Sequence, residues 1–447
     1  QWIDNRGGIG LDKLTDVEAA NGVNLDRCWH STAYLRYKGH LTLPTLVTTT
    51  AAGPAADIGA IGSLANEVYA AFGTDVRKYN NATDSWGSSL ATLPAAATDV
   101  ITIRLPQDNA VYLIFAHTGG TTDTTAGVAW TDRTADVLYM AAWDDRLWGI
   151  DNVGQLRFCQ TIGTWVNDAQ LPTEAGYATD LFVDRDASGE PILYAATRSG
   201  LYAHDAANIR FIKVDLDLPF HNDAGEGVVR WRGKTYYPAG LSIYEYQAGP
   251  APQVRVMGPD LDDGLPQTSQ GTIVRLEASH NELIALVDST LATSKINSLL
   301  GWDGHGWQVL WQTTDTTNVL TTSHVAYAYS TYRIWWANNR RVYYMPLPIN
   351  IINPSETESF TYAAGAVHDY PWFVVGQESL GLALRLRIEV QGASASETVQ
   401  VQFATNFGST FTTLGTISAD GVTTYEFPNS TTPSGTAIRA IRPRLNL

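Results

Sequence analysis

Cysteine, charge, basic residues and long apolar runs are all scarce in this sequence, and each scarcity removes a class of protein. Cys28 and Cys159 are the only cysteines. They are too few for a disulfide framework and lack the Cys-x-x-Cys spacing of zinc or thiol redox chemistry. Two buried free thiols or one disulfide remain open. Charged residues make up 17% of the chain, and 29 Lys plus Arg face 45 Asp plus Glu, a formal charge of −16. A surface of that sign repels a phosphate backbone, so nucleic acid is not an expected partner. No apolar run reaches the roughly 18 residues of a helical membrane span, and no basic amphipathic stretch suggests a surface anchor, so membrane insertion is not expected. The first residue is Gln1 rather than Met, which leads us to expect trimming or processing, with any targeting segment out of view. Helical periodicity is poor too. Only residues 55–64 hint at a helix, and their glycines weaken the hint.

Core-forming material is abundant: 44% of residues are hydrophobic, with 14 Trp and 21 Tyr, which argues against disorder. At 447 residues the chain exceeds the size at which one core stops growing, so a repeat architecture or a division into domains is expected. A Leu-Pro pair recurs at Leu93, Leu171, Leu218, Leu265 and Leu347, with spacings of 78, 47, 47 and 82 residues. Taken as two, one, one and two units, these give the period of a β-propeller blade. A strand with small residues at its centre also recurs, beginning at Glu67, Ala110, Val137, Ile192, Lys234, Glu282 and Tyr332. After most copies comes a turn and a second strand carrying a Tyr or Trp, as in Asp75 to Tyr79 and Arg146 to Ile150. The small residues are expected to let the first strand approach a crowded central channel, and the aromatics to pack between blades.

The expected fold class is therefore all-β, an approximately seven-bladed β-propeller followed by a C-terminal β-sandwich or jelly roll. Residues 1–59 form an N-terminal segment, and a strand from 30–50 is expected to supply the missing strand of the last blade and close the ring. The propeller runs over 60–348. Past Pro348 the period stops and residues 349–354 read as a connector. Alternating strands such as 382–390 and 398–403 then point to a second domain over 349–447.

Candidate sites are few. Asp184, Asp186, Ser188 and Glu190 have the oxygen-donor spacing and glycine turn of a calcium loop without its distal glutamate. A plain hairpin turn favours the same residue types, and the same discount applies to Asp260, Asp262 and Asp263. Calcium is the one cofactor these residues suggest. Trp302 and Trp307 flank a glycine-rich turn, where they either form part of a ligand surface or pack within a blade. No catalytic set stands out. Gly-x-Ser-x-Gly, His-Glu-x-x-His and a phosphate loop are all missing, and the nine histidines are dispersed. Sialidase-type propellers use three clustered arginines and Asp-box hairpins. The arginines here are scattered, and the nearest Asp-box-like string, Thr405 to Phe411, has Asn406 in place of Asp and reads as a turn.

The strings Gly200 to Asp205, Tyr237 to Leu241, Asp262 to Pro266 and Gly301 to Trp307 resemble those of propeller proteins in the structural modules of tailed bacteriophages. Pro371 to Phe373 and Leu382 to Arg387 resemble the sandwich that follows in such proteins, so the resemblance spans most of residues 60–447. It implies a non-enzymatic virion protein of the tail or a fibre, located on the virion or outside the cell. Its partners would be other virion proteins, further copies of itself as a homo-oligomer, and a glycan or protein on the host surface. A secreted, lectin-like glycan-binding propeller is the alternative, and a sialidase-like glycosidase a more distant one.

Overall fold

The computed structural model describes residues 8–9, 27–35, 41–214, 218, 220–248, 252–259, 271–289, 296–313, 319–347, 361–374, 380–428 and 434–447. The aspartates at 260, 262 and 263, the pair Leu265-Pro266 and the connector at 349–354 lie outside these residues.

Short strands rich in β-branched and aromatic residues alternate with tight turns, and they form seven four-stranded antiparallel sheets among the described residues. The first strands of blades 1 to 7 are Ile58–Leu64, Ala97–Arg104, Tyr139–Trp143, Ala178–Arg185, Val229–Trp231, Thr272–Ala278 and Leu320–Ala328. In blades 1, 3, 5 and 7 the first strand turns into the second through two residues at positive φ: Ala65-Asn66, Asp144-Asp145, Arg232-Gly233 and Tyr329-Ser330. Such turns match the right-handed twist of the strands. The strained Tyr329 is held by its hydroxyl, which donates to Tyr79 O at 2.9 Å and accepts from Val68 N at 3.2 Å.

Strand periodicity explains how the blades pack. Along the second strand of blade 1, Ala70 and Phe72 face the cluster shared with blade 7, while Tyr69 and Ala71 face the one shared with blade 2. The same division recurs around the ring, so each of the seven blade interfaces has its own apolar cluster. No blade buries both faces alone, which is why the sheets must repeat and close.

The closing strand is Thr48–Thr49, which pairs antiparallel with Arg341–Pro346 as the fourth strand of blade 7. Thr50 Oγ1 donates to Val342 O at 2.9 Å and accepts from Trp86 Nε1 at 3.1 Å. Behind it, Tyr79, Trp86, Trp335 and Tyr344 interlock across blades 1 and 7, with centroids as close as 4.6 Å. Asp84 accepts hydrogen bonds from both Tyr79 and Tyr344.

Two expectations are corrected. Residues 58–64, at the heart of the supposed helix, form a strand. Its two faces are covered by different neighbouring blades, Ile58 and Ile61 on one side and Ala60 and Leu64 on the other, and Gly59 and Gly62 carry little helical propensity. The recurring small-residue strand is the second strand of six blades rather than the one beside the channel; only in blade 3 does Tyr139–Trp143 come first. Small residues serve there because both faces of that strand are covered by neighbouring blades.

Beyond the propeller, a six-stranded sheet orders His30–Ser31, Val367–Asp369, Ala440–Asn446, Val399–Thr405 and Thr412–Ile417, with Phe373–Val374 also pairing Ala440–Asn446. Two further antiparallel pairs are Gly381–Ala383 with Thr436–Ile438 and Arg385–Val390 with Gly421–Glu426. Val401, Phe403, Leu414, Tyr425 and Leu445 share one core, against which Leu386, Ile388 and Val390 pack. The layers come close at Gly415, where a Cβ would lie 2.2 Å from the Tyr425 ring. The N-terminal segment therefore serves both bodies. Thr48–Thr49 completes the ring and His30–Ser31 edges the second sheet, while Cys28 and Leu35 are buried against blades 5 and 6. Leu41 packs against both cores. Cys28 and Cys159 are both buried and not disulfide-bonded, and burial raises the pKa of each thiol, to about 12 for Cys159.

Candidate functional site

Five of the seven first strands carry an irregularity near their start. The register skips Gly59, Thr98, Thr179, Val274 and Thr321 in blades 1, 2, 4, 6 and 7. A bulge re-aims the side chain beside it, and the residues that follow are Ala60, Asp99, Asp180, Arg275 and Thr322. Asp99, Asp180 and Arg275 stand on alternate blades of the ring, yet they interact with one another electrostatically. Groups on non-adjacent blades can do so only by converging on the central axis. The bulged residues stitch the ring: Thr98 Oγ1 donates to Leu138 O at 2.9 Å and Thr321 Oγ1 to Ile58 O at 2.7 Å. At Gly59 a side chain is excluded, because a Cβ would sit 2.2 Å from Ala97 O.

Around this neck, Glu277 Oε1 accepts from Arg275 Nε at 3.2 Å and from Ser323 Oγ at 2.9 Å. His324 Nε2 lies 3.0 Å from Ser63 Oγ. Asp99 Oδ2 accepts from Met140 N of blade 3 at 2.8 Å, and Asp180 Oδ1 from Leu181 N at 2.7 Å. Burial raises the carboxyl pKa of Asp99 to about 6, with Arg275 opposing the rise. Burial and then the charge of Asp99 raise Asp180 to about 7. Burial lowers the pKa of His324. These are acids that exchange protons near neutrality, which such a cluster can use for ligand binding or proton transfer. Their carboxylate oxygens are already engaged with backbone N–H groups of their own and neighbouring blades, which is the geometry of a lock between blades.

That chemistry has a measurable consequence. An acid whose folded pKa is raised contributes stability below its unfolded pKa of 3.8, and the contribution is lost as pH rises through the folded value. Asp180→Asn keeps an acceptor for Leu181 N and removes the charge. The variant is expected to match the parent near pH 4, to gain on it from there to pH 7, and to be more stable by roughly 1–2 kcal/mol at pH 8. Denaturant melts of both proteins at pH 4, 6 and 8 check this. A pH-independent difference would show that burial does not press on this carboxyl.

The residues singled out in the sequence lie elsewhere. Asp184 is buried and turned toward blade 5, where Arg230 Nε lies 3.0 Å away and Thr235 Oγ1 donates to it. Asp186 Oδ1 is occupied by its own hairpin, accepting from Ser188 N, Ser188 Oγ and Glu190 N at 2.7–2.9 Å. Among the described residues no group of three or more His, Cys, Asp or Glu side chains is placed to hold a metal. Trp302 and Trp307 face each other across their hairpin at 5.6 Å. Trp307 is buried and Trp302 half-buried against the core between blades 5 and 6. The sequence reading missed the channel, although the repeated tripeptide Ala97-Thr98-Asp99 and Ala178-Thr179-Asp180 marked two of its positions.

No family model matches the sequence, and no curated protein matches it. Solved structures do resemble the fold. A catalytically inactive virginiamycin B lyase from Staphylococcus aureus with quinupristin aligns over 68% of this chain and 99% of its own, at 9% identity and a TM-score of 0.52. The extracellular domain of the putative hybrid two component system BT4673 from B. thetaiotaomicron aligns over 88% of this chain and 47% of its own, at 13% identity and a TM-score of 0.50. The WD40 β-propeller domain of Doa1 aligns over 70% of this chain and 99% of its own, at 10% identity and a TM-score of 0.49. At such identities the first two likenesses speak for the fold alone, and that fold, seven four-stranded sheets in a ring, is one that enzymes and other proteins share.

Proposed function

We propose that this protein is a non-enzymatic scaffold for assembly and attachment, in which the propeller and a second β-sandwich domain are held as one body. The observation that carries this reading is the path of the N-terminal segment, which contributes a strand to each body and packs Leu41 against both cores. Such a linkage transmits position from one body to the other, as attachment requires and catalysis at a single site does not. On the sequence resemblance, the setting is the tail or a fibre of a tailed-bacteriophage virion, with other virion proteins and further copies of the chain as partners. Repetition in an oligomer raises avidity by about 10²–10⁴ without a strong single site.

Particles made with and without the chain, imaged and scored for adsorption to host cells, test the reading. Loss of assembly or adsorption is expected, together with no turnover of glycoside or phosphoester substrates by the purified protein. Turnover abolished by a single change such as Asp99→Asn would overturn the non-enzymatic part.

A further inference from the structure

One face of the second sheet holds two arginines and one carboxylate in close quarters. Arg442 and Arg444 are two residues apart on the strand Ala440–Asn446, so both side chains leave the same face. Asp369, buried on the neighbouring strand, is taken by Arg444, whose Nε and Nη2 both donate to it. Arg444 also stacks on Phe411, its guanidinium carbon 3.6 Å from the ring centroid. Arg442 feels the same carboxylate without bonding to it. It is 8% exposed, forms no ion pair among the described residues, and its Nε is buried without a hydrogen-bond partner there. Aromatic rings surround its guanidinium: Trp372 and Phe411 at 4.9 Å and Trp29 at 5.2 Å.

Two shielded guanidinium groups thus share one carboxylate, a face that is one negative charge short, and an added anion is the simplest completion. Cation–π contacts offset part of that shortfall.

A second feature faces the same place. The turn after the strand Val399–Thr405 places Asn406 and Phe407 at φ of 54° and 60°. That conformation is unusual for a bulky aromatic residue. The turn is pinned there, because Asn406 N donates to Ala440 O at 2.8 Å and Asn406 Oδ1 accepts from Arg439 N at 2.7 Å. The result is that Phe407, 61% exposed, stands 5.1 Å from Trp372 with the rings inclined at 48°. A strained backbone that presents an aromatic ring to solvent beside a buried cation with only a shared carboxylate is the arrangement of a binding site.

We propose that Arg442, Trp372 and Phe407 form a binding site for a carboxylate-bearing sugar, with the guanidinium of Arg442 taking the carboxylate and the two rings stacking on the apolar face of the pyranose. A sugar fits better than an acidic peptide because the rings offer two inclined faces, which suit the C–H face of a pyranose and have no counterpart in an aspartate or glutamate side chain. The proposal deepens the attachment reading by naming a ligand class, and its test is separate from particle adsorption.

The experiment titrates the full chain with methyl α-galacturonide and methyl β-glucuronide, following tryptophan fluorescence and saturation-transfer NMR. Methyl α-galactoside, acetate and an Asp/Glu-rich peptide serve as comparisons. The acidic sugars are expected to bind saturably and at least about tenfold more tightly than any comparison compound, as a charge-assisted pair joined to stacking requires. Arg442→Gln and Phe407→Ala should each weaken binding by about tenfold. Phe407 is a surface residue, so its variant keeps the test decisive should Arg442→Gln disturb folding. Absence of acidic-sugar binding, equal binding of the galactoside, acetate or peptide, or indifference to Phe407→Ala would each overturn the site. Lost adsorption without sugar binding would reject this site and leave the attachment reading standing, and sugar binding without any loss of adsorption would do the reverse.

Discussion

A chain that begins at Ala51 is expected to melt roughly 10 °C below the intact protein, or to fail to accumulate in folded form. The truncation removes three contributions at once. Blade 7 loses Thr48–Thr49 as its fourth strand, which opens the edge of Arg341–Pro346 to solvent and to other chains. Thr50 is lost with it, which strands the buried Trp86 Nε1 and the carbonyl of Val342 at the seam. Cys28, Ala33 and Leu35, all buried, are removed as well. Burial of one leucine stabilises by about 2 kcal/mol and each lost buried hydrogen bond costs about 1 kcal/mol, so the sum reaches the order of 5 kcal/mol. Scanning calorimetry of the two chains measures it. A truncated chain with an unchanged melting temperature would reject closure by this strand. For the same reason a fragment starting at 361 lacks His30–Ser31, the edge of its own sheet.

The second large effect is expected at Asp369. Its carboxylate is buried, holds both donors of Arg444, and is the acidic group beside Arg442. Asp369→Ala leaves two shielded guanidinium groups on one face without a counter-charge. Breaking a buried pair in this way costs about 3–5 kcal/mol. Trp29 and Trp372 lie against this face, so their fluorescence reports its unfolding during a denaturant melt. Asp369→Asn, which keeps the shape and one acceptor, should fall between the two. An alanine variant within about 0.5 kcal/mol of the parent would show that the rings alone neutralise both arginines.

The propeller was legible because its causes are local. Leu-Pro pairs after blades 1, 3 and 4 and at the end of blade 7 counted the units, and β-branched and aromatic runs between tight turns gave the strands. The stretch Leu46 to Thr50 announced a strand with no blade of its own, and the ring used it. Register was not legible. The channel residues follow bulges, which break the alternation that a sequence reading depends on. As a result, Asp99 and Asp180 looked like ordinary polar positions at strand starts.

The sequence by itself determined an all-β chain of about seven repeats with an extra N-terminal strand and a change of pattern past residue 348, because strand periodicity and turn chemistry act over a few residues. Only the tertiary structure decided which residues meet across the ring and across the two bodies. Asp99, Asp180 and Arg275 sit on blades 2, 4 and 6 and converge only once the ring closes. Trp29, Trp372, Phe411 and Arg442 come from opposite ends of the chain and are joined by a sheet whose edge strand is supplied by residues 30–31. Distances of that kind are set by closure and packing, which no run of neighbouring residues encodes.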